Sequence, residues 1–464
     1  MTKQHIIIGG GPAATNACET IRQFETDSKI TLICDEPAHS RMALPYWLAG
    51  QIPRGQTHTA DSEYFTRLNV ESLIGNRVNK IDPAEKSLTL ADGTSHSFDT
   101  LLLATGSAPL GLPIPGVDLP GVQTLWSLAD TEKALATADS LANPRVTLVG
   151  AGFIGCIVLN AMYKRGWDLT VVERDSHMLP RMLNSDAAQH VHRWVTEKGI
   201  KLHCGASLQK IEATDDGAKR LHLDSGATID ADLVIVATGV GPNVQLAADA
   251  GIETDHGILV NENLQTNFPH IYAAGDVAQG PAMLESERQV HAIQPTAVDH
   301  GRIAGANMAG QTIAYQGSLL MNVLDVCGLQ CASFGRWDDS SADSMTMSNE
   351  SSSIYRNLLW TDDKLTGSIF VGRANDMGML TDVGMVKGFI QTQTSAGTWK
   401  EYLRENPFDI RRAFIATKVP ETLAKTTLIG RPAVSRGFHF GKAATSHKAS
   451  DSHGVYVKTK DSAS

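Results

Sequence analysis

The chain has 464 residues, of which 42% are hydrophobic, 19% charged and 41 are glycine, a composition that suits a globular α/β protein and excludes a disordered or fibrous one. A formal net charge of −10 excludes a general electrostatic footprint for nucleic acid or an anionic membrane. Six cysteines without a CxxC pair suit reduced packing thiols more than a disulfide framework or a zinc site.

No apolar run reaches the roughly 18 residues of a membrane helix, and His5-Ile6-Ile7-Ile8 leads directly into glycines, unlike a secretory leader. A cytoplasmic protein with no integral membrane segment is expected. In chain order, residues 3–8 predict a strand, 12–25 a helix, and Lys29 to Cys34 a second strand ending at Asp35. The same order recurs at Arg145 to Val149, Phe153 to Arg165 and Asp168 to Val172, closing on Glu173. A duplicated βαβ unit predicts two dinucleotide sites.

Each unit carries its own phosphate turn. In Gly9-Gly10-Gly11-Pro12-Ala13-Ala14, Gly9 turns the chain, Gly11 admits a pyrophosphate to the backbone, and Ala14 allows close helix packing. The helix that opens at Pro12 would receive the phosphate charge at its N-terminus. Asp35, 26 residues after Gly9, is placed to accept from a ribose diol. Gly150-Ala151-Gly152-Phe153-Ile154-Gly155 repeats the pattern with Glu173 as the acid, which favours NADH over NADPH, although Arg174 beside it leaves room for a phosphate. Two buried strands, Leu101 to Leu103 and Val234 to Val236, run into the matching turns Ala104-Thr105-Gly106 and Ala237-Thr238-Gly239. Gly257 to Asp276 reads strand, turn, strand, then Ala274-Gly275-Asp276, with a helix over 295–308.

Beyond about residue 313 alternating strands are expected at 318–326, 330–337, 353–360 and 365–371, then helices near 377–391 and 398–405. Asp338 to Ser353 reads as a Ser/Asp-rich hairpin loop, and 435–464 as a disordered tail. The expected fold is α/β, with two Rossmann-like dinucleotide-binding domains, one at 1–112 and 245–312 and one at 113–244, and a C-terminal α+β domain at 313–434.

Taken together, Gly9 to Ala14, the two Ala-Thr-Gly turns, Gly150 to Gly155 and Ala273-Ala274-Gly275-Asp276 resemble the FAD-dependent pyridine nucleotide disulfide reductase superfamily over about residues 4–310. The resemblance implies FAD at the first site and NADH at the second, Asp276 on the flavin ribityl chain, and the helix near Thr296 and Ala297 beneath the isoalloxazine. It makes the three domains, in turn, the FAD-binding, NAD-binding and C-terminal α+β interface domains. Relatives that reduce disulfides or peroxide carry a redox cysteine soon after the second strand, and Glu36 to Gly50 has none. The loop Ser40 to Gly50 is similar instead to the branch that is cysteine-free in this loop, which includes rubredoxin and ferredoxin reductases, the apoptosis-inducing factor and the reductase half of nitrite reductases. That likeness implies that Arg41 faces the FAD pyrophosphate, where a guanidinium fork suits phosphate oxygens.

Many of these relatives pair a lysine in this loop with a glutamate after the second glycine turn, near the flavin; here the two positions are Tyr46 and Ile157. Loss of both charges together is coherent, because one alone would be buried without a partner. His291 and His300 are expected to pack or face solvent, and a sulfide-oxidising role for Cys156, Cys327 and Cys331 is disfavoured. The implied activity is transfer of hydride from NADH to flavin and of electrons onward to an acceptor such as a small iron protein, rubredoxin or ferredoxin. An NADH oxidase that reduces dioxygen, or a non-catalytic NADH-sensing flavoprotein, are the alternatives. A homodimer is expected, with no resident metal and no side chain assigned to acid, base or nucleophilic catalysis.

Overall fold

A computed structural model describes residues 2–425. The expected tail at 435–464 lies outside the described residues, as do positions 426–434.

Three five-stranded sheets organise the chain. The first is wholly parallel, in the order Ile271–Ala273, Thr100–Leu103, Gln4–Ile8, Lys29–Cys34, Val70–Ile74. Its strands read as near-continuous apolar runs because helices cover both faces of a parallel sheet. The second repeats the layout, with Arg145–Val149 central, Asp168–Glu173 and Lys201–Cys204 to one side, and Leu233–Val236 and Val122–Gln123 to the other. In each unit the central strand feeds the glycine turn and the Ala-Thr-Gly strand lies beside it.

The duplication extends to a part that the sequence reading did not foresee. Each unit carries a three-stranded antiparallel meander before its Ala-Thr-Gly strand, within 78–97 in the first and 208–231 in the second. The two chain crossings between units pair with each other, Ser107–Pro109 running antiparallel to Val240–Pro242.

Close helix packing fixes the first unit. A Cβ on Gly301 would stand 2.2 Å from the Ala13 carbonyl oxygen and one on Gly305 would stand 2.8 Å from that of Ala17. The helix Gln294–Met308 therefore lies directly on Pro12–Phe24 and holds its N-terminal turn in place.

The third sheet is antiparallel, in the order Met321–Val326, Leu329–Gly335, Lys364–Arg373, Ile354–Thr361, Asp343–Asn349. Along its long strand, Phe370 packs with the helix Met377–Thr392, while Ile369 and Val371 pack with the second unit, as a period of two requires. The hairpin loop expected at 338–353 contains the edge strand Asp343–Asn349, a correction to the sequence reading. With one neighbour, that strand exposes its Ser, Thr and Asn side chains and half-buries only Met345 and Met347, so little apolar alternation betrays it.

Candidate functional site

A cleft of about 1400 Å³ runs between the two nucleotide-type units and is bounded by Leu320 to Val323 of the C-terminal one. Its two ends are built alike. Gly9 and Gly150 have φ of +121° and +99°, and their amides donate to Ile33 and Val172 carbonyls at 2.8 Å. A Cβ on Gly9 would meet the Ala104 oxygen at 2.1 Å, and one on Gly150 the Ala237 oxygen at 2.4 Å. Any side chain there is excluded both by backbone conformation and by the neighbouring Ala-Thr-Gly strand.

Gly11 and Gly152 differ from these, since a Cβ on either would meet nothing within 4 Å. Each is the N-cap of the helix that follows, and neither helix has a side-chain cap. A third uncapped N-terminus, at Ile293 ahead of Gln294–Met308, lines the same cleft. Three positive helix ends with free amides opening on one cleft suit the two pyrophosphates of a pair of dinucleotides and an electron-rich ring between them.

The strand-end acids are used differently. The Asp35 side chain is 60% exposed and among the described residues its ion-pair partner is Arg77, at 3.9 Å, so its carboxylate is open to a ribose diol. Glu173 is 6% exposed, and its two oxygens accept from the Ala151 and Asp175 amides at 2.6 and 2.8 Å. It braces the second glycine turn while still lining the cleft, and Arg174 and Arg181 line the cleft beside it.

Between the two ends, Arg41 donates from Nη2 to Glu36 at 3.1 Å and from Nε to the Trp126 carbonyl at 3.3 Å. Asp276 accepts from the Ser107 hydroxyl at 2.8 Å; burial pushes its carboxyl up, opposed by Ser107 and by the Arg41 charge. Thr105 and Asn243 exchange side-chain-to-carbonyl bonds of 3.1 and 2.8 Å, tying the two inter-unit crossings together under the cleft.

The cleft gathers Gly9, Gly11, Pro12, Asp35, Arg41, Thr105, Gly106, Gly150, Gly152, Ile154, Glu173, Gly239, Gly275, Asp276 and Ala297. Ala14, Gly155 and Thr296 stand outside its lining. Gly155 is held small because a Cβ would meet the Gly150 oxygen at 2.1 Å, and Ala14 is buried in the first core. Ile157 lines the cleft, but Tyr46 is 52% exposed and outside it, with Met42 and Pro45 of the same loop facing in. The apolar replacement therefore involves Ile157 without Tyr46.

Cys34 is the one cysteine in the cleft lining among the described residues. Its thiol donates to the Glu36 carbonyl at 3.1 Å and burial pushes it up to about 12, so it stays protonated and unreactive at neutral pH. Cys156, Cys327 and Cys331 are buried where the third sheet meets the second unit, each with its thiol pushed up by burial.

His300 is buried behind the site, where Nδ1 accepts from the Gly275 amide at 3.3 Å and the ring stands edge-on to Tyr315. Burial lowers its pKa to about 3 from 6.5, so the imidazole is neutral and holds the turn that presents Asp276. The unfolded chain takes up this proton first as pH falls, so the contribution is complete above about 6.5 and is lost toward 3. His300→Gln is expected to flatten the loss of stability below pH 6.5 by up to about 1.4 kcal/mol per pH unit, measured as denaturation midpoints against pH. Equal slopes in the two proteins would refute the buried neutral imidazole.

The sequence profile described as pyridine nucleotide-disulphide oxidoreductase matches residues 3–301. The chain is 34% identical over 315 residues to a protein of Methanocaldococcus jannaschii named NADH oxidase, covering 66% of this chain and 70% of that one. It is 33% identical to rhodocoxin reductase of Rhodococcus erythropolis, covering 67% and 73%. Among solved structures, the covalent putidaredoxin reductase–putidaredoxin complex aligns with a TM-score of 0.79, with 21% identity over 90% of this chain and 99% of that one, a likeness of fold.

Proposed function

The chain belongs to the pyridine nucleotide-disulphide oxidoreductase family and is an FAD-dependent NAD(P)H oxidoreductase, and on that premise we propose that it carries hydride from NADH to flavin across this cleft and passes the electrons to a small redox protein. The observation that carries this reading is the pair of uncapped glycine-turn helices opening on one cleft from opposite units.

The residues fit the two cofactors. Gly9, Gly11 and the helix at Pro12 would hold the FAD pyrophosphate, with Asp35 on the ribose, Arg41 on the phosphates and Asp276 on the ribityl chain. Gly150, Gly152, Ile154 and the helix at Phe153 would hold the nicotinamide dinucleotide, with Glu173 fixing the turn. Bound flavin supplies the ability to take a hydride and to release electrons singly or as a pair. The chain's part is to orient: it brings two dinucleotides to one cleft, so an encounter becomes a fixed approach. The helix N-terminus at Gln294 places positive dipole at the cleft, which stabilises negative charge developing there. Leu44, Ile157 and Val158 line the cleft with apolar surface that keeps water from the reacting region. Residues 36–50 contain no cysteine and Cys34 stays protonated, which argues against a thiol relay beside the flavin.

The relative named rhodocoxin reductase supports a protein acceptor, and the relative named NADH oxidase supports dioxygen as the alternative. The two separate in steady-state turnover. Added ferredoxin or rubredoxin is expected to raise NADH consumption at least about tenfold, with little oxygen uptake. Oxygen uptake that accounts for all the NADH consumed, one dioxygen per NADH if peroxide forms or one per two if water forms, and indifferent to any iron protein, would establish the oxidase reading instead. A cytoplasmic homodimer, and the division into 1–112 with 245–312, 113–244 and 313–434, belong to the same proposal. Among the described residues no helix is long and apolar enough to cross a membrane.

A further inference from the structure

We propose that Trp126 is a positioning residue for the flavin, holding Arg41 and the Ser107–Asp276 pair in one frame across the boundary between the two nucleotide-type units. This rests on the reading of the first site as the FAD site. Trp126 follows the strand Val122–Gln123 of the second sheet and leads into the helix Leu128–Asp139. It nevertheless lines the cleft, and every group it holds there comes from the other side.

Its contacts run in three directions. The Arg41 guanidinium carbon stands 4.9 Å from the centre of the indole ring, and Arg41 Nε donates to the Trp126 carbonyl at 3.3 Å. The indole Nε1–H donates to the Ser107 carbonyl at 3.0 Å, and the hydroxyl of that same serine donates to Asp276. The Trp126 amide donates to Asp130 at 3.0 Å, inside the capping box that Asp130 forms with Ser127. The tryptophan is thus anchored by a helix N-terminus on one side and grips two flavin-site groups on the other.

Arg41 shows what the frame achieves. Of the five N–H donors of a guanidinium, one is held by the Trp126 carbonyl and one by Glu36, leaving three for an anion in the cleft. The indole face beside the guanidinium restrains that fork, which matters because bidentate recognition of phosphate depends on orientation as much as on charge. Only an indole offers both a face for the cation and an N–H for Ser107. Phenylalanine keeps the first and leucine neither.

The test is FAD affinity of the flavin-stripped protein, titrated by flavin fluorescence, in a double-mutant cycle. Trp126→Leu is expected to weaken FAD about tenfold or more, from loss of a cation–π contact and one hydrogen bond. Trp126→Phe is expected to lose about threefold. In a chain already carrying Arg41→Met, Trp126→Leu should cost less than about threefold, because the group it orients is gone. A merely structural tryptophan would impose the same penalty in both backgrounds, and that result would overturn the proposal. So would Trp126→Phe and Trp126→Leu both binding FAD within twofold of the natural chain. If the stripped natural chain takes up no FAD, the first-site reading itself fails, whatever the variants do.

Discussion

Gly152→Asp is expected to yield a folded, yellow protein whose flavin is reduced by sub-saturating NADH about a thousandfold more slowly than in the natural chain. Gly152 has ordinary backbone geometry and open space beyond its Cα, so a side chain there strains nothing. As N-cap of the helix Phe153–Lys164, an aspartate would accept from the first-turn amides and leave the helix as stable as before or more so. Those amides are the ones a nicotinamide dinucleotide needs for its pyrophosphate. A carboxylate about 4 Å from a phosphate charge costs roughly 4 kcal/mol at an effective dielectric of 20, or close to three decades. Stopped-flow reduction at NADH concentrations below saturation, where the rate follows affinity, checks the effect alongside flavin content and melting temperature. Unchanged reduction would remove the nucleotide from this turn.

Gly11→Asp is expected to give the mirror result: a folded protein that purifies colourless. The same reasoning applies, since a Cβ on Gly11 meets nothing within 4 Å and the residue is the uncapped N-cap of Pro12–Phe24. FAD affinity is expected to fall by about three decades. The variant should melt where the flavin-stripped natural chain melts, and below the flavin-loaded one by the stabilisation that a bound ligand confers. Gly9 and Gly150 are poorer positions for this comparison, because a side chain there collides with the Ala104 or Ala237 carbonyl and misfolding would obscure the binding effect. A yellow Gly11→Asp protein of normal affinity would place FAD elsewhere.

What could be read from the sequence follows from how local the chemistry is. A tight turn with φ near +120°, a strand before it and a helix after it are set by consecutive residues, so both glycine turns and their helices stand where the pattern put them. The third sheet was legible wherever strands alternate and bury one or both faces, as at Lys364–Arg373, and illegible at the polar edge strand Asp343–Asn349. Side-chain placement was less accessible. Tyr46 and Ile157 were expected to share a pocket, but the short helix Leu44–Leu48 turns Tyr46 outward while Ile157 faces the cleft. Glu173 was expected to offer its carboxylate to a ribose; each of its oxygens also accepts from a backbone amide, a bracing role unmarked by any residue type. Trp126 carried no signal at all, since Arg41 is 85 residues away and Ser107 is 19, and nothing near Trp126 announces either.

The central claim is that nicotinamide and flavin meet in one cleft and exchange a hydride. Anaerobic stopped-flow absorbance of the flavin-loaded protein, mixed with NADH and separately with NADPH, tests it most directly. The account predicts rapid bleaching of the flavin by NADH, lost in Gly152→Asp. Failure of both nucleotides to bleach the natural protein at a useful rate would contradict it and leave the cleft to a different electron donor.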